Sequence, residues 1–180
     1  MSGLAWGVIA VGVLVLLLVA FAFTRRQKST GLRRRFGPEY DRAVAQEGRR
    51  SGEKQLRERL ERREGFQIRE LPEDARASYL ESWRHVQERF VDRPADAISE
   101  ADRLVQRVMR DRGYPTDGFE EQAANISVDH PQVVAHYRAA HRTAEASSRG
   151  EAETENLRQA MLHYRNLFET LLGKEAATSS

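Results

Sequence analysis

The sequence predicts an all-α protein with a single N-terminal transmembrane helix, a charged juxtamembrane helical stalk and a compact antiparallel bundle of about four helices. Three observations support this prediction. Residues 4–23 form an unbroken apolar run, six cations follow it closely, and from residue 73 onward apolar residues recur at helical spacing between short breaks rich in proline and glycine. The predicted boundaries are 1–24 for the transmembrane anchor, 25–65 for the basic stalk, 66–173 for the bundle domain and 174–180 for a flexible tail.

The apolar run has the length of a membrane span. About 20 residues rising 1.5 Å each match the ~30 Å hydrocarbon core of a bilayer. No Lys or Arg precedes the run, whereas a group of cations follows it within a dozen residues: Arg25, Arg26, Lys28, Arg33, Arg34 and Arg35. The positive-inside rule therefore predicts an N-terminus outside the cell membrane and a cytoplasmic C-terminal domain.

A cleaved signal peptide is the competing interpretation, because Ala20, Phe21 and Ala22 have the small-x-small pattern of a cleavage site. A signal peptide has a charged segment before an apolar stretch of about 7 to 15 residues. Here the apolar run is longer and its charges follow it. The pattern therefore favours a retained anchor.

Charge is distributed unevenly along the chain. Residues 25–65 hold 14 Lys and Arg against 7 Asp and Glu, whereas residues 66–180 hold 15 against 20. Cations just inside a membrane span are attracted to anionic lipid by about 1 kcal/mol each. We therefore expect the six cations that follow the run to contact lipid headgroups, which lie nearer to them than nucleic acid does, and we expect no nucleic-acid partner.

The stalk itself reads as a short helix that starts at Pro38, is loosened at Gly48 and Gly52, and continues as a solvated helix. Only Leu56 and Leu60 are apolar between residues 53 and 65, and opposite charges four residues apart, such as Glu53 and Arg57, support an exposed helix.

Four amphipathic helices are predicted in the bundle domain. They span about 72–92, 94–112, 131–146 and 151–172, after an extended connector at 66–72. Residues 116–130 are expected to form a longer loop with one helical turn around 119–124. Short connections imply antiparallel neighbours, and the apolar stripes predict a core of Trp83, Phe90, Val105, Val108, Val134, Tyr137, Leu157, Met161, Phe168 and Leu171.

One internal echo supports a pair of related helices. The pattern Gln-x-x-x-His-Tyr-Arg occurs at residues 132–138 and again at residues 159–165. Duplication and chance similarity between amphipathic helices both explain it.

The sequence predicts no catalytic, cofactor-binding or metal-binding residues, and thus no enzyme. Cysteine is absent, which excludes thiolate chemistry. His136 and His141 are five residues apart and point about 140° away from each other on a helix, which does not suit a shared metal. Glu81 and His85 share a helix face, where a surface ion pair is expected. No phosphate loop, nucleophile elbow or His-Glu-x-x-His motif occurs.

Asp129 and His130 are the one candidate ligand site. They precede Pro131 at a predicted helix start, where backbone N–H groups lack helical partners. One interpretation is a helix cap, in which Asp129 or His130 satisfies those groups. The other is an anion site that uses the same N–H groups.

Three segments, FVDRPADAISEADRLVQRVMRDRGYP (90–115), ISVDHPQVVAHYRAAH (126–141) and TENLRQAMLHYRNLFETLL (154–172), resemble a family of uncharacterised bacterial proteins that are single-pass membrane or secreted. The resemblance covers about half of the chain. It implies a bacterial source and brings no activity, cofactor or site residue.

The expected function is a membrane-anchored protein-interaction or scaffold module at the inner face of a bacterial membrane, with an unidentified protein partner. The alternative is a small-molecule or anion-binding sensor that uses the helix start at Asp129 and His130.

Overall fold

The computed structural model describes Leu16 and residues 29–173. Apart from Leu16, the predicted anchor lies outside the described residues, as do Arg25, Arg26, Lys28 and the tail 174–180. All regular secondary structure between residues 29 and 173 is helical, with no strand, which confirms the all-α prediction. None of the helices in this part of the chain is long and apolar enough to cross a membrane.

The described chain begins with a helical segment at residues 29–36, and six helices follow. They are α1 (Pro38–Glu64), α2 (Glu73–Asp92), α3 (Pro94–Asp111), α4 (Phe119–Asp129), α5 (Pro131–Ser148) and α6 (Thr154–Leu171). The predicted bundle helices correspond to α2, α3, α5 and α6.

Two hairpins, α2–α3 and α5–α6, build the bundle. Each pair of helices packs against each other across a short connection, which is the single residue Arg93 in the first hairpin. Helix α3 also packs on α5 and α6 and so joins the two hairpins. Pro94 and Pro131 occupy the first turns of α3 and α5, where their missing N–H groups cost no helical hydrogen bond.

The bundle core matches the predicted stripes. Nine of the ten predicted core residues are at most 8% exposed, and the tenth, Phe90, is partly buried against the same cluster. Tyr137, Tyr164 and Phe168 are among the largest fully buried side chains. Aromatic and aliphatic burial therefore holds the two hairpins together.

Helix α4 differs from the predicted loop with one helical turn. It has 11 residues, and every residue from Gln122 to Val128 is buried. The buried set includes Gln122, Asn125 and Ser127, which are polar. Because polar residues occupy buried positions, the segment lacks the apolar periodicity by which the other helices were predicted.

The predicted solvated stalk is in fact a folded helical hairpin. Gly48 has φ 77° and ψ 162°, a conformation that breaks α1 into two arms, 38–47 and 49–64. A Cβ atom built on Gly52 would lie 2.7 Å from the carbonyl oxygen of Ala43, so the two arms approach as closely as glycine allows. We call the two arms and their turn the juxtamembrane hairpin, after the predicted juxtamembrane stalk whose place it takes.

A second, smaller hydrophobic cluster holds the juxtamembrane hairpin together and attaches it to the bundle. Its members come from the helical segment 29–36, from both arms and from α4: Leu32, Phe36, Tyr40, Ala43, Leu56 and Val128. The hairpin packs on α4 and α5. The sequence predicts a solvated helix for residues 53–65 because only Leu56 and Leu60 are apolar there, yet Leu56 belongs to this cluster and Leu60 packs against it.

The connector at 66–72 is non-helical, as the sequence suggested. The N–H of Arg69 donates to the carbonyl oxygen of Arg112 at 2.9 Å, and Ile68 and Leu71 pack on the bundle core. The connector thus runs along the bundle instead of hanging free.

Candidate functional site

Asp129 does not cap helix α5. It is the last residue of α4, and its Oδ2 accepts hydrogen bonds from Nε of Arg63 at 2.6 Å and from the Tyr114 hydroxyl at 2.8 Å. The residue at the start of α5 is His130, which makes no side-chain cap hydrogen bond. The cap prediction is therefore wrong, because α4 continues to Asp129 and its carboxylate is engaged by Arg63 of α1 and by Tyr114 of the loop between α3 and α4. Burial and this carboxylate raise the pKa of Tyr114 above its ordinary value.

The anion-site hypothesis at Asp129 and His130 stays a prediction. The carboxylate of Asp129 already pairs with Arg63 of the juxtamembrane hairpin. This ion pair is therefore part of the contact between the hairpin and the bundle.

The described residues of the predicted lipid-contact group are exposed. Arg33, Arg34 and Arg35 all face solvent, and Arg33 forms an exposed ion pair with Asp41 at 3.2 Å. Exposed ion pairs of this kind contribute little to stability, so these cations remain available to a polyanionic surface.

A polar cluster lies where the described chain begins, and we call it the Ser29 cluster. Oε1 of Glu53 accepts hydrogen bonds from Ser29 at 2.7 Å, from Tyr40 at 2.9 Å and from Nε of Arg49 at 3.1 Å. Nη2 of Arg49 also donates to Ser29 at 2.8 Å. Burial opposes ionisation of the Glu53 carboxyl, but these hydrogen bonds outweigh it and hold the pKa of Glu53 below its ordinary value.

The Ser29 cluster places the turn of the juxtamembrane hairpin beside residue 29. Sequence reasoning recognised Gly48 as a break but did not place Arg49 and Arg50 near the basic segment that precedes Ser29. The sequence feature that could have indicated this turn is the pair of glycines at 48 and 52, whose spacing suits a tight helical hairpin.

A buried ion network attaches the juxtamembrane hairpin to the bundle. Oε1 of Glu39, which is 2% exposed, accepts from Nη1 of Arg59 at 3.0 Å and from Nη2 of Arg138 at 3.1 Å. Arg138 also pairs with Glu120, and Arg42 lies 3.5 Å from Glu39 and 3.7 Å from Glu120. Burial lowers the pKa of Arg59 although Glu39 opposes this effect. The network thus joins α1 to α4 and α5 through charge.

Part of this seam is incompletely paired. The side-chain amide of Asn125 and Nε of Arg138 are buried and make no hydrogen bond to any described residue. A polar seam with unsatisfied groups contrasts with the apolar bundle core, and it resembles the interfaces between domains within a chain.

An open cleft of about 600 Å³ lies between α1, α4 and α5. His141 forms part of its wall, and its imidazole stacks on the Phe119 ring with 3.6 Å between ring centres. Around it are charged side chains of both signs, namely Arg42, Glu120, Glu121, Arg142 and Glu145.

His141 is positioned by the bundle. Its Nδ1 lies 3.2 Å from Oδ1 of Asp102, which also accepts a hydrogen bond from the Tyr164 hydroxyl at 2.8 Å. Its Nε2 lies 3.7 Å from Glu145. Carboxylates thus lie at both ring nitrogens and fix the orientation of the imidazole. Between residues 29 and 173, no three His, Asp or Glu side chains are arranged to hold a metal ion.

The two copies of the Gln-x-x-x-His-Tyr-Arg pattern bring their histidines together. The rings of His136 and His163 stack with centres 4.6 Å apart, and those of Tyr137 and Tyr164 meet edge to face at 6.4 Å. Burial, followed by the charge of His136, lowers the pKa of His163. The equivalent positions therefore face each other across α5 and α6, which is compatible with both explanations of the echo.

The predicted surface pair of Glu81 and His85 is replaced by another. Nδ1 of His85 lies 3.3 Å from the Glu88 carboxylate, one helical turn in the other direction.

A groove between α2 and α6 is the second open surface. It measures about 390 Å³ and lies over Trp83 and Phe168, whose rings stack with centres 4.8 Å apart. Leu80, Arg84 and Arg165 line it as well. The aromatic pair is mostly buried, so the groove has a shallow apolar floor. Glu169 also lines it and pairs with Arg165 at 2.9 Å.

Comparison of the chain with models of protein families, with characterised proteins and with solved structures finds no match. The resemblance to a bacterial membrane or secreted family accordingly stays a prediction.

Proposed function

We propose that the protein is a membrane-anchored interaction or scaffold module at the inner face of a bacterial membrane, whose basic segment contacts anionic lipid. The observation that best supports this proposal is the Ser29 cluster. It ties Ser29 to both arms of the hairpin, which packs on α4 and α5, and such a hairpin would hold a binding domain at a defined position near a membrane.

The groove between α2 and α6 is the surface we assign to a protein partner. Its floor of Leu80, Trp83 and Phe168 suits an apolar side chain, and Arg84 suits an acidic neighbour, whereas Arg165 already pairs with Glu169. The proposed partner is therefore a protein segment with an apolar anchor next to an acidic residue.

Membrane location and topology can be tested together. We expect the full chain to remain in the membrane fraction after alkaline carbonate extraction, and a C-terminal alkaline phosphatase fusion to be inactive because its domain stays in the cytoplasm. An active fusion, or a mature chain beginning near Phe23, would show export and contradict the proposal.

The partner surface has its own test. Affinity capture of the detergent-solubilised full chain should recover a partner that is lost when Arg84→Glu reverses charge at the groove. Arg103→Glu is the matched control, since Arg103 is also an exposed helical arginine but does not line the groove. Equal recovery with both variants would exclude the groove as the partner surface.

The alternative function is a small-molecule or anion sensor. The cleft beside His141 favours it, because the cleft is open and holds a positioned imidazole and two arginines. Inorganic phosphate and succinate are suitable probes. Shifts of the His141 ring signals in NMR titrations would support a site in this cleft, shifts of His130 alone would support the helix start, and unchanged signals would leave the scaffold proposal preferred.

A further inference from the structure

We propose that the turn of the juxtamembrane hairpin, residues 48–50, is a second lipid-contacting surface, and that it orients the bundle over the membrane. The inference rests on the proposed membrane location. It adds Arg49 and Arg50 to the basic contact and specifies which end of the bundle faces the lipid.

The turn lies at the end of the molecule from which the predicted anchor departs. Nη2 of Arg49 is 2.8 Å from Oγ of Ser29, and the Glu53 carboxylate is 2.7 Å from the same atom. Lys28, the last cation of the predicted basic segment before the described chain, directly precedes Ser29 in the sequence. The turn therefore lies beside Ser29, the residue at which the described chain continues from that segment.

Around the turn, residues 47–54 carry Arg49, Arg50 and Lys54 against Glu47 and Glu53, a net charge of +1. Arg50 is exposed and forms no ion pair with another described residue. The negative charge of Glu53 is directed inward, since Ser29, Tyr40 and Arg49 engage it and its side chain is only 15% exposed. An exposed arginine beside an internally compensated carboxylate suits the anionic headgroups of a bilayer.

The same geometry places the other end of the bundle away from the lipid. From Arg49 to Arg63 the second arm rises about 21 Å, at 1.5 Å per residue. Arg63 bonds to Asp129, which also binds Tyr114. Asp111, three residues before Tyr114, accepts a hydrogen bond from Tyr79, so the start of α2 lies at this far end. With the turn on the membrane, the far end is roughly 20 Å above it.

The absence of cysteine makes the orientation measurable, because a single introduced cysteine can be labelled alone. Ser51, beside the turn, and Ser78, near the far end, are both exposed serines and form a matched pair. A fluorophore is attached to Ser51→Cys or Ser78→Cys in the full chain, which is reconstituted into nanodiscs of phosphatidylcholine with or without phosphatidylglycerol. Quenching by headgroup-attached nitroxide then reports proximity to lipid.

We expect the label at residue 51 to be quenched more in anionic than in neutral discs, and the label at residue 78 to be quenched in neither. High salt and Arg50→Glu should each reduce the extra quenching at residue 51, while Arg103→Glu, which changes net charge equally, should not. Arg50→Glu changes the charge by two units, which at about 1 kcal/mol per unit corresponds to roughly a thirtyfold weaker contact.

Several results would overturn the inference. If the chain enters the discs but the label at residue 51 responds equally to neutral and anionic lipid, the turn does not contact headgroups and only this inference fails. Equal quenching at residues 51 and 78 would reject the orientation. A chain that does not enter the discs would refute the proposed membrane function as well. If the chain in neutral discs binds duplex DNA and Arg50→Glu abolishes this binding, the turn is a nucleic-acid contact instead.

Discussion

Replacing Glu39 tests whether the buried ion network attaches the juxtamembrane hairpin to the bundle. Glu39 is 2% exposed and is the shared acceptor of Arg59 and Arg138, whose side chains are 7% and 4% exposed. In Glu39→Leu the two guanidinium groups stay buried and lose their common counterion. Arg138 keeps its pair with Glu120, whereas Arg59 keeps hydrogen bonds to the uncharged Gln55 and Ser127. Breaking a buried pair in this way costs about 3 to 5 kcal/mol, mainly because a charge is left uncompensated.

The magnitude has an internal check in a double variant. In Glu39→Leu with Arg138→Met, one of the two buried guanidinium groups is removed. Arg59 keeps its hydrogen bonds to Gln55 at 2.8 Å and to Ser127 at 3.4 Å. We therefore expect the double variant to lose less stability than the sum of the two single variants. This coupling separates a network effect from a general loss of packing.

Urea unfolding of a fragment of residues 25–180, followed by circular dichroism, measures the change. Glu47→Leu is the matched control. Glu47 is exposed and accepts a hydrogen bond from Gln55 at the surface, so its replacement should change stability by no more than about 0.5 kcal/mol. Hydrogen exchange then locates the effect. Amides of the juxtamembrane hairpin should lose protection in Glu39→Leu, while those of α3 and α6 should keep most of theirs. A Glu39→Leu fragment as stable as the Glu47→Leu control would refute the proposed attachment.

Three further predictions concern the core, the hairpin and pH. Phe168→Ala should cost about 3 to 5 kcal/mol in thermal or urea unfolding, because the ring is 1% exposed in the bundle core, and a native-like variant would contradict that core. Gly52→Ala should destabilise by about 1 to 3 kcal/mol, since its Cβ would lie 2.7 Å from the backbone oxygen of Ala43, whereas Gly31→Ala has open space and should not destabilise; equal effects would contradict the close approach of the two arms. The pKa of His163 is lowered by burial and by its stacked histidine neighbour. Just below the ordinary pKa of 6.5, the unfolded chain therefore binds more protons than the folded chain. Stability should therefore fall as pH drops below about 6.5, and His163→Gln should flatten this dependence in urea titrations at several pH values.

The bundle helices could be predicted because their burial follows a simple period. In α3 and α6, residues such as Val105, Val108, Leu157 and Phe168 recur every three or four positions, and proline or glycine marks the ends. Apolar stripes of this kind are removed from water when they face one another. The core prediction therefore needed no knowledge of long-range contacts.

The attachment of the juxtamembrane hairpin could not be predicted in this way. Arg59 and Arg138 are 79 residues apart, and both appear in the sequence as ordinary surface cations of charged helices. Their burial becomes visible only when Glu39 is placed between them. The Asp102, Tyr164 and His141 contacts are similar, since each residue lies on a different helix and none belongs to a local motif.

The two hydrophobic clusters and the polar seam between them have different structural roles. The larger cluster is apolar and makes the bundle a stable unit, whereas the smaller cluster gives the hairpin its own shape. Only Val128 joins the smaller cluster from the bundle, so the relative position of the two units depends on Glu39 and its arginines and on the pair of Arg63 and Asp129. Buried ion pairs contribute little net stability but require one geometry. The seam is thus suited to fix the angle between hairpin and bundle, and charge-altering substitutions there should change how the bundle is presented to a partner before they unfold it.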